Sequence, residues 1–399
     1  KSALYSFTKK HDICQFRLYL FCYKDPYIVF TCTIYILIKT MILPKPRNIN
    51  VERYVGGLSK FEKISDPIKL SANESALGAS PKAISAFEKD KDKIFKYPES
   101  DSNLLRDAME KKFNIDANRI ICGAGSDQIF DLICKLFLKS GDEVIVSEFG
   151  FIMHRIYASL HGAKVFFAKE KNYKTSIDEI LKKVSDKTRI VFIANPNNPT
   201  GTYLSKKEMY SLREKLRSDI LLVVDDAYFE FMNNNDFSSG LDLFKDSKNV
   251  LITRTFSKIY GLAGLRLGWG YASKEIIDSM YQIKAPFNVN RAALAAGVEA
   301  IKDSEWTNKA IEHNTIWKEK IFSVLEENNI IANKPTANFF LISFDKTKIN
   351  SDQAFEKLAN NRLILRKMNQ YKIPNSLRLT IGNKKENDYF IKTIKSVLK

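Results

Sequence analysis

The chain of 399 residues can form one large domain and a smaller one, and its 45% hydrophobic and 27% charged content is ordinary for a globular protein. Its net charge of +17 is unusual, but the lysines are spread along the chain and no basic run alternates with aromatic residues. We therefore expect no nucleic-acid binding and attribute the charge to solvated lysine surfaces, whose field attracts anionic small molecules.

The cysteines and histidines indicate neither a disulfide framework nor a metal site. The five cysteines are odd in number and no two have Cys-x-x-Cys spacing, and the four histidines are scattered. Reduced thiols are typical of the cytoplasm, where we expect the protein to work.

Residues 1–40 differ in composition from the rest of the chain. Ile28–Ile38 is apolar apart from its threonines, yet it is too short for a membrane-spanning helix, which needs about 20 apolar residues. No small-residue cleavage site follows it, so it does not match a signal peptide. We interpret residues 1–40 as an extension outside the enzyme fold, which would begin near Met41. A membrane-peripheral anchor is the alternative, and no integral membrane association is expected.

From residue 66 onward, short β-branched runs alternate with helical patterns, which predicts an α/β fold with a mainly parallel sheet. In chain order the predicted strands are Arg119–Cys122, Glu143–Ser147, Lys164–Ala168, Arg189–Ala194, Ile220–Val224 and Asn249–Thr253. Polar residues follow these strands directly, so they gather at the carboxyl edge of the sheet, where ligands bind in such folds.

After about residue 285 the pattern changes to long helices and a second group of strands. These strands are predicted at Asn338–Phe344, Leu363–Arg366 and Ser376–Ile381. The chain therefore divides into an N-terminal arm (41–75), a large domain (76–285) and a small α/β domain (286–399), which the arm joins.

Four loops after the predicted strands carry residues suited to chemistry. The glycine turn at 123–127 can bind a phosphate at a helix N-terminus, although most such turns bind nothing. The loop 195–201 crowds asparagines at the functional edge, beyond what a rigid turn needs. Asp225 follows five apolar residues and needs a cation or a protonated heterocycle unless it caps a helix. Lys258 lies among serine, glycines and Arg266, which is not typical of a surface loop.

Taken together, these motifs resemble the fold-type-I pyridoxal-5′-phosphate (PLP) aminotransferases, and most closely the histidinol-phosphate aminotransferases. The resemblance runs from Tyr54 to the C-terminus. It rests on LSANESALGASP (70–81), YP (97–98), GAGSDQ (123–128), NPNNPTG (195–201), DDAY (225–228), SKIYGLAGLRLG (257–268) and SLRLTIG (376–382). It implies a seven-stranded, mainly parallel sheet in the PLP-binding domain, a smaller C-terminal domain and a homodimer.

The resemblance also implies roles for individual residues around PLP. Lys258 would form the Schiff base and act as general base, Asp225 would pair with the pyridinium nitrogen, and Tyr228 would bind the ring hydroxyl. The remaining cofactor contacts would be Asn198 at the ring hydroxyl, Phe151 stacked on the ring, Ser126, Asp127, Thr255, Ser257 and Arg266 at the phosphate, and Tyr97 at the phosphate of the partner subunit.

For the substrate, the resemblance implies histidinol phosphate as amino donor and 2-oxoglutarate as acceptor. Arg378 matches the arginine that binds the anionic end, and Arg366 adds a second guanidinium, although each could form a structural salt bridge instead. Tyr54 matches an arm tyrosine that approaches the partner's active site, and Asn73 belongs to the same substrate-binding set.

Two departures from the family pattern leave the substrate open. Ala76 replaces a proline, and His154 stands where a tyrosine is common, so both positions are candidates to line the substrate pocket. An aromatic amino-acid aminotransferase and a PLP-dependent decarboxylase of the threonine-phosphate type are the alternatives. A non-catalytic homologue is disfavoured because Lys258, Asp225 and Arg266 are all retained.

Overall fold

The computed structural model describes residues 51–58 and 64–398, which all belong to one compact unit, Asn50–Lys399. The predictions for residues 1–40 and for most of the arm before residue 64 lie outside these ranges. Within them, no helix has both the length and the apolar character that crossing a membrane requires.

The described residues form a layered α/β structure. The strands are β1 (Ile68–Lys69), β2 (Ile120–Gly123), β3 (Glu143–Ser147), β4 (Lys164–Ala168), β5 (Glu170–Lys171), β6 (Lys174–Thr175), β7 (Thr188–Ala194), β8 (Leu221–Asp225), β9 (Val250–Thr255), β10 (Gly268–Tyr271), β11 (Ile331–Ala332), β12 (Phe339–Ser343), β13 (Leu363–Ile364), β14 (Arg366–Lys367) and β15 (Ser376–Thr380). The helices are α1 (Pro81–Asp90), α2 (Asn103–Phe113), α3 (Ser126–Phe137), α4 (Ile152–Leu160), α5 (Ile177–Leu181), α6 (Lys206–Lys215), α7 (Gly240–Phe244), α8 (Lys274–Ile283), α9 (Arg291–Lys302), α10 (Ser304–Glu327), α11 (Ser351–Asn360) and α12 (Lys384–Val397).

A seven-stranded sheet lies at the centre, in the order β2-β10-β9-β8-β7-β3-β4. Strand β10 is antiparallel to both of its neighbours, and the pairs from β9 to β4 are all parallel. The mainly parallel seven-stranded sheet is therefore confirmed. The central strands are largely apolar because both faces of the sheet are covered by hydrophobic core, and every residue of β8 is buried.

Strand β10 has no counterpart among the strands predicted from the apolar pattern. Its sequence is Gly-Trp-Gly-Tyr, which lacks the β-branched residues that mark the other strands. Gly268 is required by close packing, since a Cβ there would overlap the backbone nitrogen of Ser126. A tertiary contact, and not local propensity, thus determines this strand.

The C-terminal part forms a smaller four-stranded sheet in the order β11-β12-β15-β14. The single strand predicted at Leu363–Arg366 is wrong, because β13 pairs in parallel with β1 whereas β14 pairs antiparallel with β15. Leu365 separates the two short strands, so the chain changes partner there. Strand β1 of the arm pairs with β13 in a separate two-stranded sheet. The division into arm, large domain and small domain, with boundaries at residues 75 and 285, stays a prediction.

Candidate active site

A cavity of about 270 Å³ lies where the carboxyl ends of β7, β8 and β9 meet residues from the arm and the small sheet. Every predicted site residue except Tyr97 borders it. These are Tyr54, Asn73, Ser126, Asp127, Phe151, Asn198, Asp225, Tyr228, Thr255, Ser257, Lys258, Arg266, Arg366 and Arg378. The fold thus brings together residues that lie more than 300 positions apart in the sequence.

Lys258 lies in the loop after β9 and extends its amine towards the arm. Its Nζ donates to the carbonyl oxygens of Asn73 (3.2 Å) and Ala72 (3.4 Å), and it lies 5.5 Å from the ring centre of Tyr228. Burial, reinforced by the positive charge of Arg378, lowers the pKa of Lys258 to about 8. The neutral, nucleophilic amine is therefore far more accessible near pH 7 than in a surface lysine.

Asp225 ends β8 with its carboxylate only 4% exposed. Thr253 donates to Oδ1 (3.1 Å), and the Nε2 atom of His154 lies 3.4 Å from Oδ2. Within the described part of the chain, no lysine or arginine forms an ion pair with Asp225. A buried carboxylate with so little compensation suits a positively charged ring nitrogen.

The two departures from the family pattern lie outside the main cavity. His154 packs behind Asp225, with its ring stacked on Phe192 at 4.8 Å between centroids, and it does not border the cavity. Ala76 borders a separate cavity of about 10 Å³ together with Asn338. Neither residue is therefore in a position to contact a substrate in the main cavity.

A group of residues suited to binding an anion, called the anion cradle below, lies at the N-terminus of α3. It consists of Ser126, Asp127, Thr255, Ser257 and Arg266. Arg266 reaches across to Asp127, with 3.2 Å between Nη2 and Oδ2, and its Nη1 lies 3.4 Å from the hydroxyl of Ser257. The backbone N–H of Ser257 in turn donates to the Thr255 hydroxyl at 3.1 Å. Free backbone N–H groups of a helix N-terminus, together with a guanidinium, are a typical phosphate site.

The cradle depends on Gly125, the residue that precedes α3. Its φ is +80°, and a Cβ there would overlap Nη2 of Arg266. Any side chain at this position would occupy the space between the helix and the arginine. The residues present therefore fit a phosphate group bound against this backbone.

Two buried arginines form the opposite wall of the cavity. Arg366 on β14 and Arg378 on β15 are paired residues of neighbouring strands and are 7% and 6% exposed. Arg378 donates to the Ser71 carbonyl (2.9 Å) and to Oδ1 of Asn198, whereas Arg366 donates to the Val55 carbonyl (2.6 Å).

Neither arginine has an anionic partner among the residues that the structure describes. Within residues 51–58 and 64–398, no carboxylate forms an ion pair with Arg366 or Arg378, and Nε of Arg378 has no hydrogen-bond partner at all. Burial lowers the pKa of Arg378 from its usual value. Two adjacent buried cations without a counter-ion are the arrangement expected for binding an anionic ligand.

Tyr54 and Asn73 connect the arm to this wall. The ring centre of Tyr54 lies 5.7 Å from the guanidinium carbon of Arg366 in the same chain. Asn73 donates to the hydroxyl of Tyr228 at 3.0 Å, and burial raises the pKa of Tyr228 to about 12, so the phenol stays protonated. The approach of Tyr54 to a partner's active site stays a prediction.

Sequence reasoning missed several residues that border the cavity. They are Gly57, Ser71, Ala72, Glu74, Ala194, Pro196, Ala227, Ala263 and Tyr371. Tyr371 is buried, at 4% exposed, and burial raises its pKa to about 12. It lies in a turn after β14, and no local pattern there signals that the turn folds towards Arg378.

Tyr97 is the one predicted site residue away from the cavity. It is 79% exposed and stacks on Phe287 with 4.6 Å between ring centroids. Ile94, Phe95 and Leu104 are similarly exposed beside it. Contact between Tyr97 and a cofactor phosphate therefore requires a second subunit, and it stays a prediction.

The chain is similar in sequence to known aminotransferases. The family model "Aminotransferase class I and II" matches residues 65–394. A histidinol-phosphate aminotransferase of Pelagibacter ubique (strain HTCC1062) is 52% identical over 358 residues, which are 90% of this chain and 99% of the relative. One from Maricaulis maris (strain MCS10) is 40% identical over 360 residues, 90% of this chain and 99% of the relative.

A solved structure shares the fold. The histidinol-phosphate aminotransferase of Sinorhizobium meliloti, crystallised in complex with pyridoxal-5′-phosphate, superposes with a TM-score of 0.77 at 21% identity. The match covers 83% of this chain and 90% of that one.

Proposed function

Because the chain belongs to the aminotransferase class I and II family, we propose that it is a PLP-dependent aminotransferase that takes the amino group of histidinol phosphate and transfers it to 2-oxoglutarate. The observation that carries the substrate assignment is the pair of buried arginines, Arg366 and Arg378, which have no carboxylate partner within the described residues. The relatives that share 40–52% of their sequence with this chain carry the same activity in their names.

We propose a cytoplasmic location, which the free thiols of Cys122 and Cys134 favour.

The cofactor-binding role is proposed for the residues of the cradle and the strand ends. Ser126, Thr255, Ser257 and Arg266 would hold the phosphate of PLP, as the free N–H groups at α3 and the space beside Gly125 favour. When bound, PLP supplies an electron sink that the protein itself lacks.

Around the ring, four side chains would orient the cofactor or hold its protons. The Asp225 carboxylate, which no lysine or arginine of the described chain neutralises, keeps a proton on the ring nitrogen. Asn198 and the protonated Tyr228 hydroxyl are proposed to bind the ring hydroxyl. Phe151, which borders the cavity, would cover the ring and exclude water from one face.

Lys258 is the proposed catalytic residue. Its Nζ, with a pKa lowered to about 8, would take the proton from the α-carbon of the amino donor and pass it to the cofactor carbon that carried the aldehyde. In the second half of the reaction it would move a proton from that carbon to the α-carbon of the acceptor. General-base transfer of this kind contributes roughly 10²- to 10⁴-fold to a rate. Arginine cannot substitute, because its guanidinium stays protonated.

The same cationic wall serves both substrates in turn. Histidinol phosphate presents a phosphate, and 2-oxoglutarate presents two carboxylates, so each brings oxygens that guanidinium groups bind in a bidentate manner. Arg366 and Arg378 lie side by side, which allows them to share one dianionic group or to divide two. This arrangement would allow one cavity of about 270 Å³ to accept two different molecules.

The test is spectroscopic and uses the purified full-length chain. We expect the visible absorbance of bound PLP to disappear on addition of histidinol phosphate and to return with 2-oxoglutarate. A response to phenylalanine but not to histidinol phosphate would identify an aromatic amino-acid aminotransferase. Release of carbon dioxide from threonine phosphate without a 2-oxo acid would identify a decarboxylase. Failure to bind PLP would overturn the proposal altogether.

We further propose that the enzyme is a homodimer. The exposed apolar residues Ile94, Phe95, Tyr97 and Leu104 lie next to a groove of about 730 Å³ formed by α1, α2 and α9. Several large apolar side chains exposed close together beside a groove are typical of a protein–protein interface. A second copy covering it would bring Tyr97 to the neighbouring site.

Sedimentation velocity tests the dimer. The wild-type chain is expected to sediment as a dimer, and Phe95→Asp is expected to shift it towards monomer, because a charge would be buried at the interface. Tyr210→Asp, at an exposed aromatic position on α6, is the matched control and should leave the dimer intact. A monomeric wild-type chain would contradict the proposal.

A further inference from the structure

A carboxyl group just outside the cavity joins two of the segments that line it. Glu170 begins β5 and does not itself border the cavity. Its Oε1 atom accepts hydrogen bonds from the Ser147 hydroxyl (2.6 Å), the Phe149 backbone N–H (3.2 Å) and the Asn197 side-chain amide (3.3 Å). A single oxygen therefore receives donors from the end of β3, from the segment after it and from the 195–201 loop.

Two of these donors, Phe149 and Asn197, lie close in sequence to residues of the proposed cofactor site. Phe149 precedes Phe151 by two positions, and Asn197 directly precedes Asn198, whose Oδ1 accepts from Arg378. Asn197 also donates to the Thr200 hydroxyl (3.0 Å) and to the Phe149 carbonyl (3.5 Å). Through these hydrogen bonds, Glu170 and Asn197 connect the segment 149–151 to the 195–201 loop.

The same cluster contains two acceptor atoms without donors. Within the described part of the chain, Oε2 of Glu170 and Oδ1 of Asn197 are buried and have no hydrogen-bond partner. An unsatisfied buried acceptor is destabilising. A proton on Oε2 of Glu170 would turn one of these acceptors into a donor.

The charges near Glu170 favour that proton. Burial raises the pKa of Glu170 to about 7, against the lowering effect of the hydrogen bonds from Ser147 and Phe149. Glu148 is the charged side chain that faces it: its Oε2 accepts from the Glu170 backbone N–H at 3.0 Å, and its like charge raises the pKa further. The other side chains that face Glu170 are neutral: Ser147 on β3, Thr175 on β6 and Asn197 in the 195–201 loop.

We infer that Glu170 is a positioning residue, which holds the segment 149–151 against the 195–201 loop and so fixes Phe151 and Asn198 around the cofactor. The inference rests on the proposed function, since it concerns how that site is kept in shape. Glu170 acts through Phe149 and Asn197 and contacts neither cofactor nor substrate.

The test compares PLP affinity in variants of the full-length apoenzyme. Glu170→Ala should weaken PLP binding by roughly 10-fold or more, the effect of losing one to two hydrogen bonds. Glu170→Gln should retain wild-type affinity, because the amide keeps an acceptor at Oε1 and carries no charge. Glu208→Ala removes another partly buried carboxylate, which bonds Lys174 and Ser205, and should leave PLP affinity unchanged.

A second pair of measurements separates positioning from a general structural role. Asn197→Ala should weaken PLP binding like Glu170→Ala, and the double variant should bind PLP no more weakly than either single variant, since both changes break the same connection.

Between about pH 5 and about pH 8, the wild-type melting temperature should fall relative to that of Glu170→Gln. A carboxyl group whose pKa is raised on folding contributes stability that is lost as pH rises through the folded value.

The outcomes are distinct. If Glu170→Ala binds PLP as tightly as wild type, or loses affinity no more than Glu208→Ala does, the inference is wrong while the proposed function stands. Loss of affinity in Glu170→Gln would overturn the role of the neutral carboxyl group. If the wild-type chain itself binds no PLP, the proposed function fails first and the inference with it.

Discussion

Replacing Lys258 by methionine is expected to abolish amino transfer and, in the apoenzyme, to raise the free energy of unfolding at neutral pH. Activity should fall by at least roughly 10⁴-fold, because both the covalent attachment of PLP and the general base are lost. Methionine is similar in length to lysine and fills the site without a charge. Lys258→Arg should be equally inactive, since arginine keeps a cation that cannot give up its proton.

The stability effect follows from the sign of the pKa shift. The pKa of Lys258 falls from 10.5 to about 8 on folding, so below about pH 8 the folded chain carries a buried cation that the unfolded chain solvates better. Between about 8 and 10.5 the unfolded chain binds more protons, so wild-type stability recovers as pH rises. The advantage of Lys258→Met should reach up to about 3 kcal/mol near pH 7 and vanish towards about pH 10.5.

Thermal unfolding of the two apoenzymes across this pH range checks the prediction. In the structure, the Lys258 ammonium group has hydrogen bonds to the carbonyl oxygens of Ala72 and Asn73. A methionine variant that is less stable than wild type at neutral pH would show that further contacts stabilise the buried ammonium group, and it would contradict the prediction. Retained transamination in the variant would contradict the catalytic role directly.

Replacing Arg378 is expected to have the second largest effect. Arg378→Leu should lower kcat/KM for histidinol phosphate by roughly 30- to 4,000-fold, because removing one partner of a buried charged pair costs about 2–5 kcal/mol. Most of the change should appear in KM, since the guanidinium binds the anionic group in the ground state as well as in the transition state. Arg378→Lys should recover only part of the loss, because a lysine cannot form two parallel hydrogen bonds.

Steady-state kinetics with both substrates tests this expectation. Arg366→Leu should weaken binding in the same direction, and the two changes should not be additive because the side chains lie on paired positions of β14 and β15. Arg362→Lys is the control: this exposed arginine pairs with Asp66 on the surface and should leave the kinetics unchanged. An unchanged KM in Arg378→Leu would contradict the proposed substrate wall.

Local sequence patterns predicted the parts of the fold that depend on nearby residues. Runs such as Glu143–Ser147 are apolar because they are buried on both faces, and the polar residues after them fall at one edge of the sheet by geometry. For that reason the order of strands and polar loops is enough to assign Asp225 and Lys258 to one site. The connection between Ile120–Gly123 and the glycine turn follows from the same reasoning.

The features that were missed depend on contacts between distant segments. Strand β10 is held by the close approach of Gly268 to Ser126, which no apolar pattern reveals. Tyr371 enters the cavity because a turn after β14 folds back towards it, and Glu170 is joined to Asn197 by a contact that sequence spacing cannot indicate. These are tertiary effects, which override local preference.

The pairing of β1 with β13 imposes an order of events on the growing polypeptide. The carbonyl of Ser71 accepts from Arg378, 307 positions later, and the backbone N–H of Asn73 donates to the side-chain hydroxyl of Thr380 in the same strand, β15. During synthesis the arm emerges 307 positions before these partners, so the side of the cavity that the arm and β15 form together cannot be completed until β15 has been made. Cofactor capture that depends on this side would follow the synthesis of β15, and a chain interrupted before β15 would leave one edge of β12 unpaired.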